Sequence, residues 1–181
     1  MNNQSGPKLR EARSGDAPAI ASIYNHFVLN TSVSFEEEPV PAPDMAQRIA
    51  DVHAAGLPWL AAERDGILLG YAYATKWRVR HAYRFSVETS VYLAPDSVGQ
   101  GIGTMLYRAL LDRLRAGGYH LAIGGIALPN PASIALHEKL GFEKAVLQCR
   151  TVQVDKGLVR TRAKPVNCLC DQLFARARFA G

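Results

Sequence analysis

The stretch Val87–Thr104 constrains this chain more than any other. A strand-like run, Val87-Glu88-Thr89-Ser90-Val91-Tyr92-Leu93, passes through Ala94-Pro95-Asp96 into Gly99-Gln100-Gly101-Ile102-Gly103-Thr104, and an apolar-periodic helix follows. Glycines at alternate positions let consecutive backbone N–H groups turn inward at the positive end of a helix dipole. Such a geometry grips a phosphate or pyrophosphate. Glu88 is the single carboxylate inside the preceding strand run, and the chain's best candidate for acid–base chemistry. A pyrophosphate cradle one short turn from a lone carboxylate points to an enzyme with a nucleotide-tailed cosubstrate. The pattern is not the dinucleotide fingerprint, which wants a third glycine where Thr104 stands, and no Gly-Lys-Ser/Thr follows to make a Walker loop.

The rest of the chain is read from its periodicities. Lys8 to Ala12 reads as a short strand, Ser14-Gly15-Asp16 as an N-cap, and Ile20, Ile23, Tyr24, Phe27 and Val28 as one face of a helix. Pro39, Pro41 and Pro43 stop regular structure, and Asp44 caps a second helix through about His53. Trp59 to Glu63, the turn Arg64-Asp65-Gly66 and Ile67 to Thr75 read as a hairpin. Met105, Leu106, Leu110, Leu111 and Leu114 form the apolar stripe of the helix after the glycines. Leu121 to Leu128 is a strand, and Asn130 and Ser133 precede a helix closed by Gly141. The order predicts an α/β fold, a mixed central sheet flanked by helices, rather than the strict alternation of a doubly wound fold.

Composition sets the background. At 181 residues and 48% hydrophobic, the chain can bury one sizeable core. No apolar run approaches the roughly 20 residues that cross a bilayer, and Met1 to Lys8 lacks the apolar core of a signal peptide. Cys149, Cys168 and Cys170 make no disulfide framework, so a reducing cytoplasm is the expected setting. No second Cys or His pair accompanies Cys168-x-Cys170, so no metal is expected. Residues 143–181 hold eight Lys and Arg against three Asp and Glu, which is the whole of the formal +5. The basicity belongs to the tail, whose only aromatics are Phe174 and Phe179, and this argues against nucleic acid as a partner.

A second element sharpens the glycine signal: Leu128-Pro129-Asn130-Pro131-Ala132-Ser133 through His137 to Leu140-Gly141-Phe142. Together these segments resemble the GCN5-related N-acetyltransferase (GNAT) superfamily over roughly residues 8–142. Within it the chain is most similar to the phosphinothricin and methionine sulfoximine acetyltransferases. The similarity runs through Ile23-Tyr24-Asn25, the Asn30-Thr31-Ser32 region, Trp77-Arg78-x-Arg80, Val87 to Tyr92, and Asn130 to Phe142. The resemblance implies acetyl-CoA as cosubstrate and direct transfer of acetyl to the amino group of a small amino-acid-like acceptor. Backbone groups of Val91, Tyr92 and Leu93 are expected to pair with the pantetheine arm. N–H groups of Gly99, Gln100, Gly101, Ile102, Gly103 and Thr104 are expected to hold the pyrophosphate, with Asn130 and Ser133 at the cofactor's far portion. One departure stands out: the Arg or Gln that leads this loop in the superfamily is Val98 here.

Glu88 lies where related enzymes place a proposed general base, which would take the proton from an ammonium of pKa about 10.4. His137 lies where many members carry a Tyr that protonates the leaving thiolate; a helix His packed on the sheet is the alternative. Arg78 and Arg80 follow a strand and suit a substrate carboxylate, which Arg binds as a fork; two solvated arginines are the plain reading. Phe35 is either an apolar substrate wall or a buried anchor, and Glu36-Glu37-Glu38 reads as a solvated run.

The resemblance stops at Glu143. Relatives continue with a glycine- and aromatic-rich hairpin whose strands flank the substrate site and often carry a dimer contact. Residues 143–181 have no Trp and no Tyr, and a strand over Thr151 to Val154 is all the patterning offers. The chain therefore divides into a polar N-terminus (1–7) expected to be disordered, an acetyltransferase domain (8–142) and an atypical basic segment (143–181). That segment, divergent or from a shifted reading frame, either completes the sheet or leaves it open, and a homodimer is left open with it. Another amine or a protein N-terminus as acceptor, and a non-catalytic acyl-CoA binder, stand as alternatives.

Overall fold

The computed structural model describes residues 6–31, 33–34, 36–148 and 172–179. Along the chain run β1 (Lys8–Glu11), α1 (Ala17–Asn30), α2 (Ala42–Ala54), β2 (Trp59–Arg64), β3 (Ile67–Lys76) and β4 (Ser86–Leu93). They are followed by α3 (Ile102–Ala116), β5 (Leu121–Ala127), α4 (Pro131–Lys139), β6 (Glu143–Gln148) and β7 (Gln172–Arg178). The strands form one mixed sheet in the order β1-β2-β3-β4-β5-β7-β6. Among the described strands, only β4 and β5 run parallel.

Local chemistry accounts for most boundaries. The β2–β3 turn has two residues, Asp65 and Gly66, both at positive φ (52° and 79°) between paired Arg64 and Ile67. Positive φ at both centres suits the right-handed twist of a hairpin, and Asp-Gly accepts it readily. Asp16 stands at the N-cap of α1, but its carboxylate turns away from the helix. It accepts the Arg13 N–H (2.7 Å) and two bonds from the Arg10 guanidinium (2.6 and 2.8 Å), tying β1 to the start of α1. The expected cap at Asp44 is corrected: α2 starts earlier, with extended Pro41 in the cap position, Pro43 at its start and Asp44 in the first turn. A proline costs little where the helix has no N–H to satisfy, so a residue read as a stop opens the element.

The sheet carries helices on both faces. Residues alternate along β4, so Glu88, Ser90 and Tyr92 share one face and Val87, Thr89 and Val91 the other. Tyr92 meets Tyr24 and Phe27 of α1 edge-on at 5.2 and 5.3 Å between ring centroids, whereas Thr89 meets Tyr107 of α3. The inward face of α3, with Ile102, Leu106, Leu110 and Leu114, is fully buried against the sheet.

Among the described residues, two strands lie in the segment where the resemblance stops. β7 occupies an interior place, antiparallel to β5 along Leu121–Ala127 and to β6 on its far side. The predicted Thr151–Val154 strand and Cys149, Cys168 and Cys170 lie outside the described residues.

Candidate active site

The functional cleft begins where two neighbouring strands part. β4 and β5 pair only from Ser86/Leu121 to Thr89/Gly124. Beyond that apex they diverge, and a cleft of about 340 Å³ opens between Ser90–Leu93 on one side and Gly125–Ala127 on the other. On its opposite edge β4 stays paired with β3 as far as Leu93. The parting thus leaves one edge of β4 beside the cleft with no strand among the described residues against it, available to an extended arm.

At the far end of β4 stands the N-terminus of α3. Gly99 and Gly101 take φ of 82° and 78°, a left-handed conformation that other residues adopt at a cost, and Gly101 is the helix N-cap. No acidic side chain occupies the first turn of α3, so no carboxylate of the helix's own first turn opposes the positive end of its dipole. Gly99, Gly101, Gly103 and Thr104 line the cleft. Ile102 faces the core instead, and the Gln100 side chain is tied elsewhere: its amide donates to the Asp96 carbonyl (2.8 Å) and accepts from Arg64 (3.3 Å). These two can offer only backbone groups. A mostly apolar trough with a strand edge on one wall and a helix N-terminus at its end fits a pantetheine arm with a pyrophosphate.

Glu88 lies next to the apex on the α1 face, with Thr75 beside it on β3 and Ile123 on β5. It is half-buried, and burial raises its pKa above the usual carboxylate range. That shift makes a stronger base. The face it shares is aromatic: Trp59 stacks on Tyr73 (4.2 Å) and Tyr71 on Tyr92 (5.5 Å), and Tyr73 also bonds to Ser90. Glu36 departs from the solvated run expected for it. Arg48 donates twice to its carboxylate (2.7 and 3.2 Å) and the Tyr24 hydroxyl donates once (3.1 Å). Those bonds, with Arg48 foremost, lower the Glu36 pKa.

On the opposite face of the apex is a chain of short hydrogen bonds. Thr89 Oγ1 lies 2.7 Å from Tyr107 Oη, which lies 2.9 Å from His137 Nε2, and His137 Nδ1 lies 2.7 Å from the Ser133 carbonyl. Thr89, Tyr107 and His137 are 3%, 0% and 5% exposed. A carbonyl can only accept, so Nδ1 carries the ring proton. Burial lowers the His137 pKa, which favours the neutral ring with Nε2 accepting from Tyr107. Gly124 makes room for this cluster: a Cβ there would sit 2.8 Å from His137 Cδ2 and 3.3 Å from Tyr107 Oη. Asn130 caps α4, accepting the Ser133 N–H at 3.0 Å, and both residues line the cleft.

Arg78 and Arg80 lie together but apart from this cleft, lining a separate hollow with Val79 and Tyr83. The Arg78 guanidinium stacks over the Trp77 and Tyr83 rings at 5.5 Å each. Phe35 lies outside the described residues. Sequence reasoning passed over Thr89 and Tyr107; the signal it had was a tyrosine on the inward face of α3, whose hydroxyl needs a partner once buried.

The family model described as Acetyltransferase (GNAT) family matches residues 20–142. The phosphinothricin N-acetyltransferase of Alcaligenes faecalis is 49% identical over 138 residues, which cover 76% of this chain and 70% of that one. The L-methionine sulfoximine/L-methionine sulfone acetyltransferase of Pseudomonas paraeruginosa is 43% identical over 139 residues, 75% of this chain and 79% of that one. Among solved structures, a GNAT superfamily phosphinothricin acetyltransferase from Sinorhizobium meliloti in complex with AcCoA superposes with a TM-score of 0.83. It is 37% identical, and the match covers 96% of this chain and 89% of that one.

Proposed function

Because the chain belongs to the acetyltransferase (GNAT) family, we propose that it moves the acetyl group of acetyl-CoA directly to the amino group of a small amino-acid-like acceptor. The acceptor is of the phosphinothricin or methionine sulfoximine/sulfone type that the relatives' names record. The observation that carries the proposal is the parting of β4 and β5, which opens a trough ending at the glycine-lined N-terminus of α3.

In this reading backbone groups of Val91, Tyr92 and Leu93 hold the pantetheine arm as a further strand would. N–H groups from Gly99 to Thr104 bind the pyrophosphate, with Asn130 and Ser133 beside the cofactor. The acetyl thioester then lies near the apex. Glu88, made more basic by burial, takes the proton of the acceptor ammonium directly or through water. A backbone N–H of Val91 to Leu93 stabilises negative charge on the carbonyl oxygen as nitrogen attacks, and His137 supplies the proton that the leaving sulfur needs. The aromatic face around Tyr73 and Tyr92 walls the acceptor together with Phe35, and Arg78 and Arg80, although they line a separate hollow in this chain, are assigned its carboxylate. The same reading sets the reaction in the cytoplasm, with a small amine and no nucleic acid as partner, and with a homodimer as the assembly. No helix among the described residues is long and apolar enough to cross a membrane.

Release of free thiol from acetyl-CoA, measured against a panel of amino acids and analogues, tests the proposal. Phosphinothricin and methionine sulfoximine should support turnover, and amines lacking the carboxylate should react poorly. Arg80→Ala should raise the acceptor KM by roughly 10- to 150-fold, the range expected for a lost charged hydrogen bond, and leave the acetyl-CoA KM unchanged. Equal turnover of decarboxylated analogues would remove the arginines from the acceptor site.

A further inference from the structure

We propose that Thr89, Tyr107 and His137 form a buried proton relay that joins the apex of the β4–β5 parting to the His137 imidazole, with Tyr107 as the positioning residue that links the other two. The inference deepens the acetyltransferase reading and rests on it.

The geometry allows two complete hydrogen-bonding states. With neutral His137, Thr89 donates to Tyr107, Tyr107 donates to Nε2, and Nδ1–H donates to the Ser133 carbonyl. With a proton on Nε2 the two bonds through Tyr107 reverse while Nδ1–H still donates to Ser133: Nε2–H donates to Tyr107, Tyr107 to Thr89, and Thr89 to the Ile123 carbonyl, which lies 3.3 Å from Oγ1. That carbonyl gives the last hydroxyl somewhere to point, so neither state strands a buried donor. The groups facing the imidazole are uncharged: Tyr107 from α3, Gly124 from β5, Ser133 from its own helix, and Phe142, whose ring meets it edge-on at 4.9 Å. No salt bridge among the described residues involves Thr89, Tyr107 or His137 and pins the relay in one direction.

The relay supplies a balanced path for one proton. Glu88 yields a neutral amine, which attacks the thioester carbonyl. As the C–N bond forms, the nitrogen's surplus proton passes to Thr89 Oγ1, the Thr89 proton to Tyr107, and the Tyr107 proton to His137 Nε2. As the C–S bond breaks, the electron pair leaves on sulfur; His137 returns its proton to Tyr107, Tyr107 passes one to Thr89, and Thr89, which lines the cleft, gives its own to the sulfur. The proton moves from nitrogen to sulfur, and His137 is neutral before and after.

Tyr107→Phe tests this by removing one oxygen. The ring can keep its stack on Phe142 (5.4 Å, 16°). Thr89→Val breaks the chain at its other link with little change of shape, and Thr89→Ser restores the hydroxyl. Tyr107→Phe and Thr89→Val should each lower kcat by about 10²-fold, and the double variant should be no slower than either, since a series path is broken only once. CoA affinity by calorimetry should be unchanged, and Thr89→Ser should keep near-wild-type kcat. Nitrogen-15 spectra of histidine-labelled wild-type protein should show His137 as the neutral Nδ1–H tautomer. Wild-type kcat in Tyr107→Phe, losses that multiply in the double variant, Thr89→Ser as slow as Thr89→Val, or an Nε2–H tautomer would each overturn the relay. If Tyr107→Phe fails to fold, the Val/Ser pair at Thr89 decides. The tautomer is read without turnover, so an inactive wild type on every amine would count against the acetyltransferase reading separately.

Discussion

Gly124→Ala is the smallest change that strikes the centre of the candidate site. The new Cβ would stand 2.8 Å from His137 Cδ2, closer still to Nε2, and 3.3 Å from Tyr107 Oη. Carbon atoms pack best at about 3.5–4.0 Å, so the imidazole would have to retreat by about 1 Å. It has little freedom to do so. Its Nδ1 is held by the Ser133 carbonyl at 2.7 Å, its Nε2 by Tyr107 at 2.9 Å, and its ring lies against Phe142. Overpacking of this kind costs about 1–3 kcal/mol, and losing the Tyr107–His137 bond adds about 1 kcal/mol. Against that, alanine stiffens the unfolded chain and returns about 0.4–1 kcal/mol where it fits. The balance is a loss of about 1–4 kcal/mol. Urea unfolding should show it as a lower midpoint at unchanged slope. A variant as stable as the parent, or more stable, would mean that β5 and α4 separate easily here and that the cluster is not tightly packed.

Three further outcomes are expected. Glu88→Gln should lower kcat by roughly 10²- to 10⁴-fold at neutral pH with CoA affinity intact. Because burial raises the Glu88 pKa, the parent's rate should fall with decreasing pH through a value above the ordinary carboxylate range; a variant with the parental pH–rate profile would leave deprotonation to solvent. Gly101→Asp forces a side chain onto a φ of 78° and sets a negative charge at the α3 N-terminus, so acetyl-CoA binding should weaken by at least about 2 kcal/mol in calorimetry. Unchanged affinity would detach the pyrophosphate from this loop. Asp16→Asn should lower stability by about 1–2 kcal/mol at pH 7. The Arg10 bonds hold the Asp16 pKa below its ordinary value, so its contribution is present above about pH 3.9 and fades as pH falls through the folded value. A gap between variant and parent that stays the same in acid would contradict that assignment.

The order of elements from β1 to α4 was legible because each carries a short-range signal: Asp65-Gly66 for the hairpin, the stripe around Leu106 and Leu110 for α3, Gly141 after α4. The family resemblance, read from a few segments in order, is borne out by the family match over residues 20–142. What escaped depends on contacts between distant residues. Thr89, Tyr107 and His137 are separated by 18 and 30 residues along the chain, and no local period marks them as neighbours. The aromatic face joins alternate residues of β2, β3 and β4 to α1, so each ring reads locally as an ordinary core or surface position. Glu36 looked solvated because its partner Arg48 lies 12 residues on, in the next helix. The interior place of β7 was hidden for the same reason, since Gln172–Arg178 draws its position from pairing with β5 and β6 rather than from its own composition.

That interior place has a consequence for how the protein is made. A ribosome delivers β5 well before β7, and the 44 residues between them take on the order of 2–9 s to synthesise. During that interval β5, which forms one wall of the cleft, presents an open edge to the cell. β6 emerges early but cannot take its final position, because the strand it pairs with has not yet been translated. An open strand edge is a template for pairing with other chains. Expression yield should therefore depend on translation speed and chaperone supply through the last quarter of the message more than on the stability of the finished fold.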